Sequence, residues 1–148
     1  MEHIRKAEEK DISRIAEILV FNKRINYRPI FQNDAFSFGE LQVLRVAAEY
    51  SGDRELLART WVYDDEFVKG LIEVDGKEVN TFYVDGFFQS QGIGAKLLSF
   101  AVEQGCDFLW TLEKNVRAIA FYERNGFHLS GEKKFDKGAT EYLVKMER

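Results

Sequence analysis

The segment Val84-Asp85-Gly86-Phe87-Phe88-Gln89-Ser90-Gln91-Gly92-Ile93-Gly94 decides how this chain is read. Its apolar start belongs to a strand. Its end opens a helix, because Ile93, Leu97, Leu98 and Ala101 recur at helical spacing as far as Gly105. At about 7% glycine a Gly-x-Gly occurs often by chance, so position gives this one its weight. Two glycines at a strand-to-helix turn let the backbone come close to a ligand. The unpaired amides of the first helical turn then face it, with the positive end of the helix dipole behind them. Such a turn binds phosphate. A dinucleotide fold would place a third glycine where Leu97 stands. A Walker loop would need Gly-x-x-x-x-Gly-Lys followed by Ser or Thr, and the sequence contains none.

Upstream, residues 57–63 and 67–74 read as strands separated by the acidic Asp64-Asp65-Glu66, and Asp75-Gly76 turns the chain into a third strand over 78–85. In that strand Val79, Phe82 and Val84 are spaced three then two, which strict alternation cannot place on one face. One extra residue near Asn80 or Thr81, a β-bulge, restores the pattern. Downstream come a strand over 108–112, a short helix over 115–124 ended by Asn125-Gly126, and a hairpin of 127–135 with 140–146 around Lys137-Gly138. Toward the N-terminus the pattern gives a strand over 2–6 and a helix from about Asp11 carrying Ile12, Ile15, Ala16 and Leu19. Helical periodicity is then lost over 22–38. Ser37 and Glu40 have capping-box spacing, so a second helix is expected over 38–50 with Leu41, Leu44 and Ala48 inward. The class is α+β, a mixed sheet with helices on both sides.

Composition bounds the function. The chain has 148 residues, 21 basic against 25 acidic and a net charge of -4, so one domain over 1–148 is expected and no basic footprint for nucleic acid is present. The longest apolar run is residues 118–122, far short of the roughly 20 needed to span a bilayer, so no membrane partner is expected. A single Cys106 fits a reducing, cytoplasmic setting. His3 and His128 lack companions at ligand spacing, so no metal is expected. Tyr27, Pro29, Phe31, Phe36 and Phe38 crowd the non-periodic stretch, either as a flap over the core or, on the sharper reading, as the wall of a binding pocket.

Twenty-one residues after Gly94 lies Asn115-Val116-Arg117-Ala118-Ile119-Ala120-Phe121-Tyr122-Glu123-Arg124-Asn125-Gly126-Phe127. Together with Gln89-x-x-Gly92-x-Gly94 this resembles the GNAT superfamily of N-acetyltransferases, over roughly residues 67–147. The resemblance implies a mostly antiparallel sheet of six to seven strands in which the bulged strand and its neighbour splay into a V that admits acetyl-CoA. It implies amides of Gln91, Gly92, Gly94 and Ala95 on the pyrophosphate, with Gln89, Ile93 and Ala118 completing the contacts. Main-chain groups of Phe82 and Val84 would pair with the pantetheine arm, and Asn115 would hydrogen-bond it. Tyr122 would act as the acid beside the thioester sulfur, with Glu78 as first candidate base and Glu73 as second. Tyr27 and Phe31 are expected to meet the acceptor amine. Gly86 stands where the family often has Pro, and Gln89-Ser90-Gln91 holds no Lys or Arg, so backbone amides should carry the pyrophosphate. The implied activity is direct acetyl transfer to a primary amine of a small molecule, peptide or protein, by a monomer or homodimer. An acyl-CoA sensor of the same fold is the alternative.

Overall fold

A computed structural model describes residues 2–135 and 141–148. Among the described residues seven strands form one sheet: β1 (Ile4–Lys6), β2 (Thr60–Asp65), β3 (Phe67–Asp75), β4 (Glu78–Val84), β5 (Phe108–Leu112), β6 (His128–Phe135) and β7 (Tyr142–Glu147), in the order β1-β2-β3-β4-β5-β7-β6. All neighbours are antiparallel except β4 and β5, which run parallel. The α-helices of the described residues are α1 (Ile12–Phe31), α2 (Val43–Gly52), α3 (Arg54–Ala58), α4 (Ile93–Glu103) and α5 (Val116–Arg124).

Strand alternation divides the core in two. Val62 and Leu71 face α1 and α2, while their neighbours Tyr63 and Ile72 face α4. Ile15, Leu71, Ile72 and Leu97 are fully enclosed, each such burial stabilising by roughly 1.5–3 kcal/mol. Gly70 lets α4 lie close on the sheet, since a Cβ there would stand 3.0 Å from Leu97 Cδ1 and 3.2 Å from the Tyr83 carbonyl. At the sheet edge Arg5 grips two carboxylates, reaching Asp11 at 2.8 and 2.9 Å and Asp64 at 3.0 and 2.9 Å. Asp11 also accepts the Glu8 amide at 2.8 Å, so one guanidinium ties β1, β2 and the start of α1 together.

Three expectations are corrected. The first helix does not end near Asn22 but runs to Phe31 with Pro29 inside it. Proline removes the bond to the Ile25 carbonyl, a cost that falls on the helix's exposed side, where water can take the donor's place. The second helix starts at Val43 rather than 38, because Ser37 and Glu40 belong to a π-helical turn, Ala35–Glu40. That turn shifts the phase, so Val46 and Tyr50 are buried while Leu44 is 84% exposed and Ala48 faces outward. Leu57 belongs to α3, not to a strand. Asp53 caps that helix by accepting the Leu56 amide at 3.0 Å, and β2 begins only at Thr60.

The bulge lies where the spacing put it. Glu73 pairs with Thr81, but the next residue, Val74, pairs with Val79, leaving Asn80 as the extra residue. Ladder pairing between β4 and β5 is then confined to Glu78 with Phe108 and Val79 with Leu109. Beyond that point the strands part into a V. The turn expected around Lys137-Gly138 lies outside the described residues.

Candidate active site

The V opens into a cleft of about 810 Å³. One wall comes from the face of β4 that carries Phe82 and Val84, with Ile93, Gly94 and Ala95 of α4 and Asn115, Ala118, Phe121 and Tyr122 at α5. The other comes from Asn22, Asn26 and Tyr27 of α1 and from Tyr83, whose side chain packs on the α1 face of the sheet.

At one end the chain forms an amide cradle. Gly92 caps α4 in the left-handed region at φ 82°, and Ser90 two residues earlier also has φ 63°. Left-handed residues in such a loop gather amides into an anion-binding concavity, and the first-turn amides of α4 have no partner in their own helix. No Cβ would touch anything at Gly92, so glycine there serves conformation and ligand approach rather than packing. At Gly94 a Cβ would stand 3.3 Å from Phe121 Cζ, so this glycine admits α5 to α4.

The loop is held from outside. Asp85 accepts the Phe87 amide at 2.9 Å and receives Arg14 of α1 at 2.8 Å, while Arg14 also donates to the Val68 carbonyl at 2.7 Å. This brace supplies the stiffness that Gly86 does not. The cation missing from Gln89-Ser90-Gln91 arrives from α5, where Arg117 Nη2 lies 3.4 Å from Gln89 Oε1. Gln89 in turn approaches the buried Asn22 of α1 at 3.5 Å.

Toward the middle of the cleft, Asn115 Oδ1 caps α5 by accepting the Ala118 amide at 3.2 Å, a role that occupies one end of its side-chain amide. Phe82, Phe121 and Tyr122 form an aromatic wall with ring centroids 5.5 to 6.2 Å apart. Burial raises the Tyr122 phenol well above its ordinary range, with a smaller contribution from Tyr27, so near neutral pH it stays protonated and has a proton to donate. Across from it the Tyr27 and Tyr83 hydroxyls are 3.1 Å apart.

The expected residues separate here. Phe82, Val84, Gln89, Gly92, Ile93, Gly94, Ala95, Asn115, Ala118, Tyr122 and Tyr27 line the cleft; Gln91, Phe31, Glu78 and Glu73 do not. Phe31 instead packs edge-on against Tyr27 at 5.8 Å. Glu78 sits at the closed end of the V, opposite Phe108. Glu73 is 5% exposed and committed to Arg59 at 3.2 Å and Thr81 at 3.0 Å. Cys106 is buried, and burial pushes its thiol up to about 11, which leaves it inert. Sequence reading missed Asn22, Asn26, Tyr83 and Arg117. The signal for the first two was there: polar residues at i and i+4 continuing an inward helical face.

These features define a class: an α+β protein with a loop of clustered amides at the mouth of a cleft between two parted parallel strands. A family model described as an acetyltransferase (GNAT) domain matches residues 57–129, in line with the resemblance carried by the Gly92 loop and the Asn115 helix. A Bacillus subtilis protein named spermine/spermidine N(1)-acetyltransferase is 28% identical over 81 residues, 50% of this chain and 50% of that one. The chain thus spans about half the length of the curated relatives it matches. Among solved structures, an N-acetyltransferase from Staphylococcus aureus Mu50 superimposes with a TM-score of 0.74 at 14% identity, covering 97% of this chain and 98% of that one. The PaiA N-acetyltransferase of Thermoplasma acidophilum, solved with coenzyme A, gives 0.67 at 16% identity and covers 98% of both chains. They share this fold. Among the described residues no helix is long and apolar enough to cross a membrane.

Proposed function

We propose that this chain is a single cytoplasmic acetyltransferase domain that moves acetyl from acetyl-CoA directly to a primary amine. The observation that carries the reading is the parting of β4 and β5 after Val79 and Leu109, with an amide cradle at one end of the gap and a protonated phenol on its wall. Acetyl-CoA supplies an activated acyl group and a thiol that leaves. The amides of Gly92, Gly94 and Ala95 would hold its pyrophosphate, assisted by Arg117, while the backbone of Phe82 and Val84, freed from β5, would pair with its pantetheine amides. Asn115 would orient the same arm.

In the transfer the amine nitrogen forms the new C–N bond and the C–S bond breaks, while one proton leaves nitrogen and one reaches sulfur. Tyr122 is the residue placed to hydrogen-bond the developing thiolate. An alkyl amine of pKa about 10.4 is neutral to only about one part in 2,500 at pH 7, a cost of roughly 4.6 kcal/mol. No carboxylate or histidine is among the described residues that line the cleft, so its proton leaves to water. That same observation favours a second reading, an acyl-CoA sensor without turnover. Incubating the protein with acetyl-CoA and a panel of polyamines, amino acids, aminoglycosides and peptides separates the two. Thiol release that depends on an amine supports the enzyme, and acetyl-CoA binding without release supports the sensor. Spermine and spermidine belong in the panel because the Bacillus relative is named for them.

A further inference from the structure

We propose that the Tyr83 hydroxyl, held by Tyr27, seats the acceptor's reacting amine, and that this seat selects amines with one positive charge over polyamines. The inference rests on the acyl-transfer reading above and names its acceptor class.

The seat is built from two elements. Tyr83 comes from β4 just past the bulge and Tyr27 from the last turns of α1, and their hydroxyl oxygens are 3.1 Å apart. Phe31, one turn further along α1, packs edge-on against the Tyr27 ring. Whichever hydroxyl donates, the Tyr83 oxygen keeps a lone pair that can accept an N–H. Burial and the neighbouring Tyr27 raise the Tyr83 phenol well above its ordinary range, so that oxygen is neutral at working pH. It orients an amine without offering a countercharge.

Charge decides the class. Among the described residues, the charged side chains lining the cleft are Arg117 and Arg124, both cationic. Carboxylates on the adjoining strands and loop are already engaged: Glu73 by Arg59 at 3.2 Å, Asp75 by Asn80 at 3.2 Å, and Asp85 by Arg14 at 2.8 Å. Glu78, at the closed end, lies within the fields of Lys134 and Lys145. A monoamine sheds its only charge when it becomes the nucleophile. A polyamine retains one or more ammonium groups that would enter a partly desolvated cleft facing arginines, a burial that is costly without a paired anion. The remaining wall, Asn22, Asn26 and Ile25, suits a neutral body carrying the single amine.

The test measures amine-dependent thiol release from acetyl-CoA with 2-phenylethylamine, tyrosine amide and spermidine, for the wild-type chain, Tyr83→Phe and Asn26→Asp. Wild type should show kcat/KM at least about tenfold higher for a monoamine than for spermidine. Tyr83→Phe, which keeps the ring, should raise the monoamine KM about three- to tenfold with the acetyl-CoA KM unchanged. Asn26→Asp adds a carboxylate to the same wall and should raise kcat/KM for spermidine selectively. Spermidine turned over as well as the monoamines, or an unaltered monoamine KM in Tyr83→Phe, overturns this inference and leaves the acyl-transfer reading standing. Turnover of no amine while acetyl-CoA still raises the melting temperature overturns both.

Discussion

Val79 faces Leu109 across the last parallel bridge between β4 and β5, and the residue after Val79 is the unpaired Asn80. Bulge and parting are therefore adjacent events on one strand. A bulge bends its strand and increases its twist, which carries the rest of β4 away from β5 and leaves the main-chain groups of Phe82 and Val84 facing the gap.

Deleting Asn80 should close the gap without unfolding the chain. The deletion brings Val79 and Phe82 to a spacing of two, so every apolar side chain of β4 keeps its face. The loss is Asn80's hydrogen bonds to Asp75 at 3.2 Å and Glu73 at 3.4 Å, about 1–2 kcal/mol. Thermal melts should show a folded protein that acetyl-CoA no longer stabilises. Undiminished stabilisation of the deletion variant would mean that the parting does not depend on the bulge.

Acetyl-CoA should raise the melting temperature while NAD and ATP do so much less, because only a ligand reaching from Gly92 to Asn115 uses both the loop and the α5 cap. Gly92→Asn separates cradle from conformation. Asparagine tolerates positive φ, and open space surrounds the position, so stability should fall by less than about 1 kcal/mol. A side chain there would still obstruct a close-lying phosphate, and acetyl-CoA affinity should drop at least about tenfold by calorimetry. Equal stabilisation by ATP would reduce the cradle to a generic phosphate site.

Much of this arrangement could be read in the residues. The three-then-two spacing in β4, the Gly-x-Gly turn and the Asn115 cap are local signals with a local cause, and they placed the bulge, the cradle and α5. What escaped was set by tertiary context. The last turns of α1 look aperiodic because their inward face is a cleft wall of Asn22, Asn26 and Tyr27 rather than core, so hydrophobic periodicity fails where the helix leaves the core. The π-helical turn before α2 shifted its phase, and no residue pattern announces such a turn. Arg117 met Gln89 only through folding, across 28 positions.

Arg117 should matter for the cosubstrate and not for the chemistry. It is exposed, it lines the cleft, and it supplies the positive charge that the loop itself lacks. Arg117→Ala should raise the acetyl-CoA KM about three- to tenfold at low salt, less at high salt, with kcat unchanged. A matching loss of kcat would place it in the transfer step instead.

Glu78→Gln tests both pH dependence and the base first assigned to Glu78. Burial raises this carboxyl above its ordinary value, Lys134 opposes, and Asp75 and Glu73 add to the rise. With its folded value above the unfolded one, the group holds its proton more tightly in the folded chain, so ionisation costs stability. That cost is absent at pH below the unfolded value and complete at pH above the folded one. Glu78→Gln should therefore stabilise the protein in urea melts at pH 7 and leave it unaltered near pH 3. Because Glu78 lies at the closed end of the V, kcat should hold; a tenfold fall would restore it as the base.

Tyr122→Phe addresses the chemical step. The Tyr122 hydroxyl lies in a wall formed with Phe82 and Phe121, and burial keeps it protonated through the working range of pH. A sulfur leaving into this wall is desolvated too, so its affinity for a proton rises with that of the phenol, and the donor remains matched to its target. No histidine, lysine or carboxylate is among the described lining residues, and the Tyr27 and Tyr83 hydroxyls lie on the opposite wall, engaged with each other. Replacement by Phe keeps the ring contacts and removes one oxygen. Acetyl-CoA affinity should be nearly unchanged, since the cradle and Asn115 are untouched, while kcat should fall by about 10² to 10⁴-fold, the range for a positioned proton donor. The measurement needs conditions where chemistry limits turnover, which single-turnover mixing provides. Full single-turnover rate in the Phe variant would leave Tyr122 as a packing residue and give the donation to water.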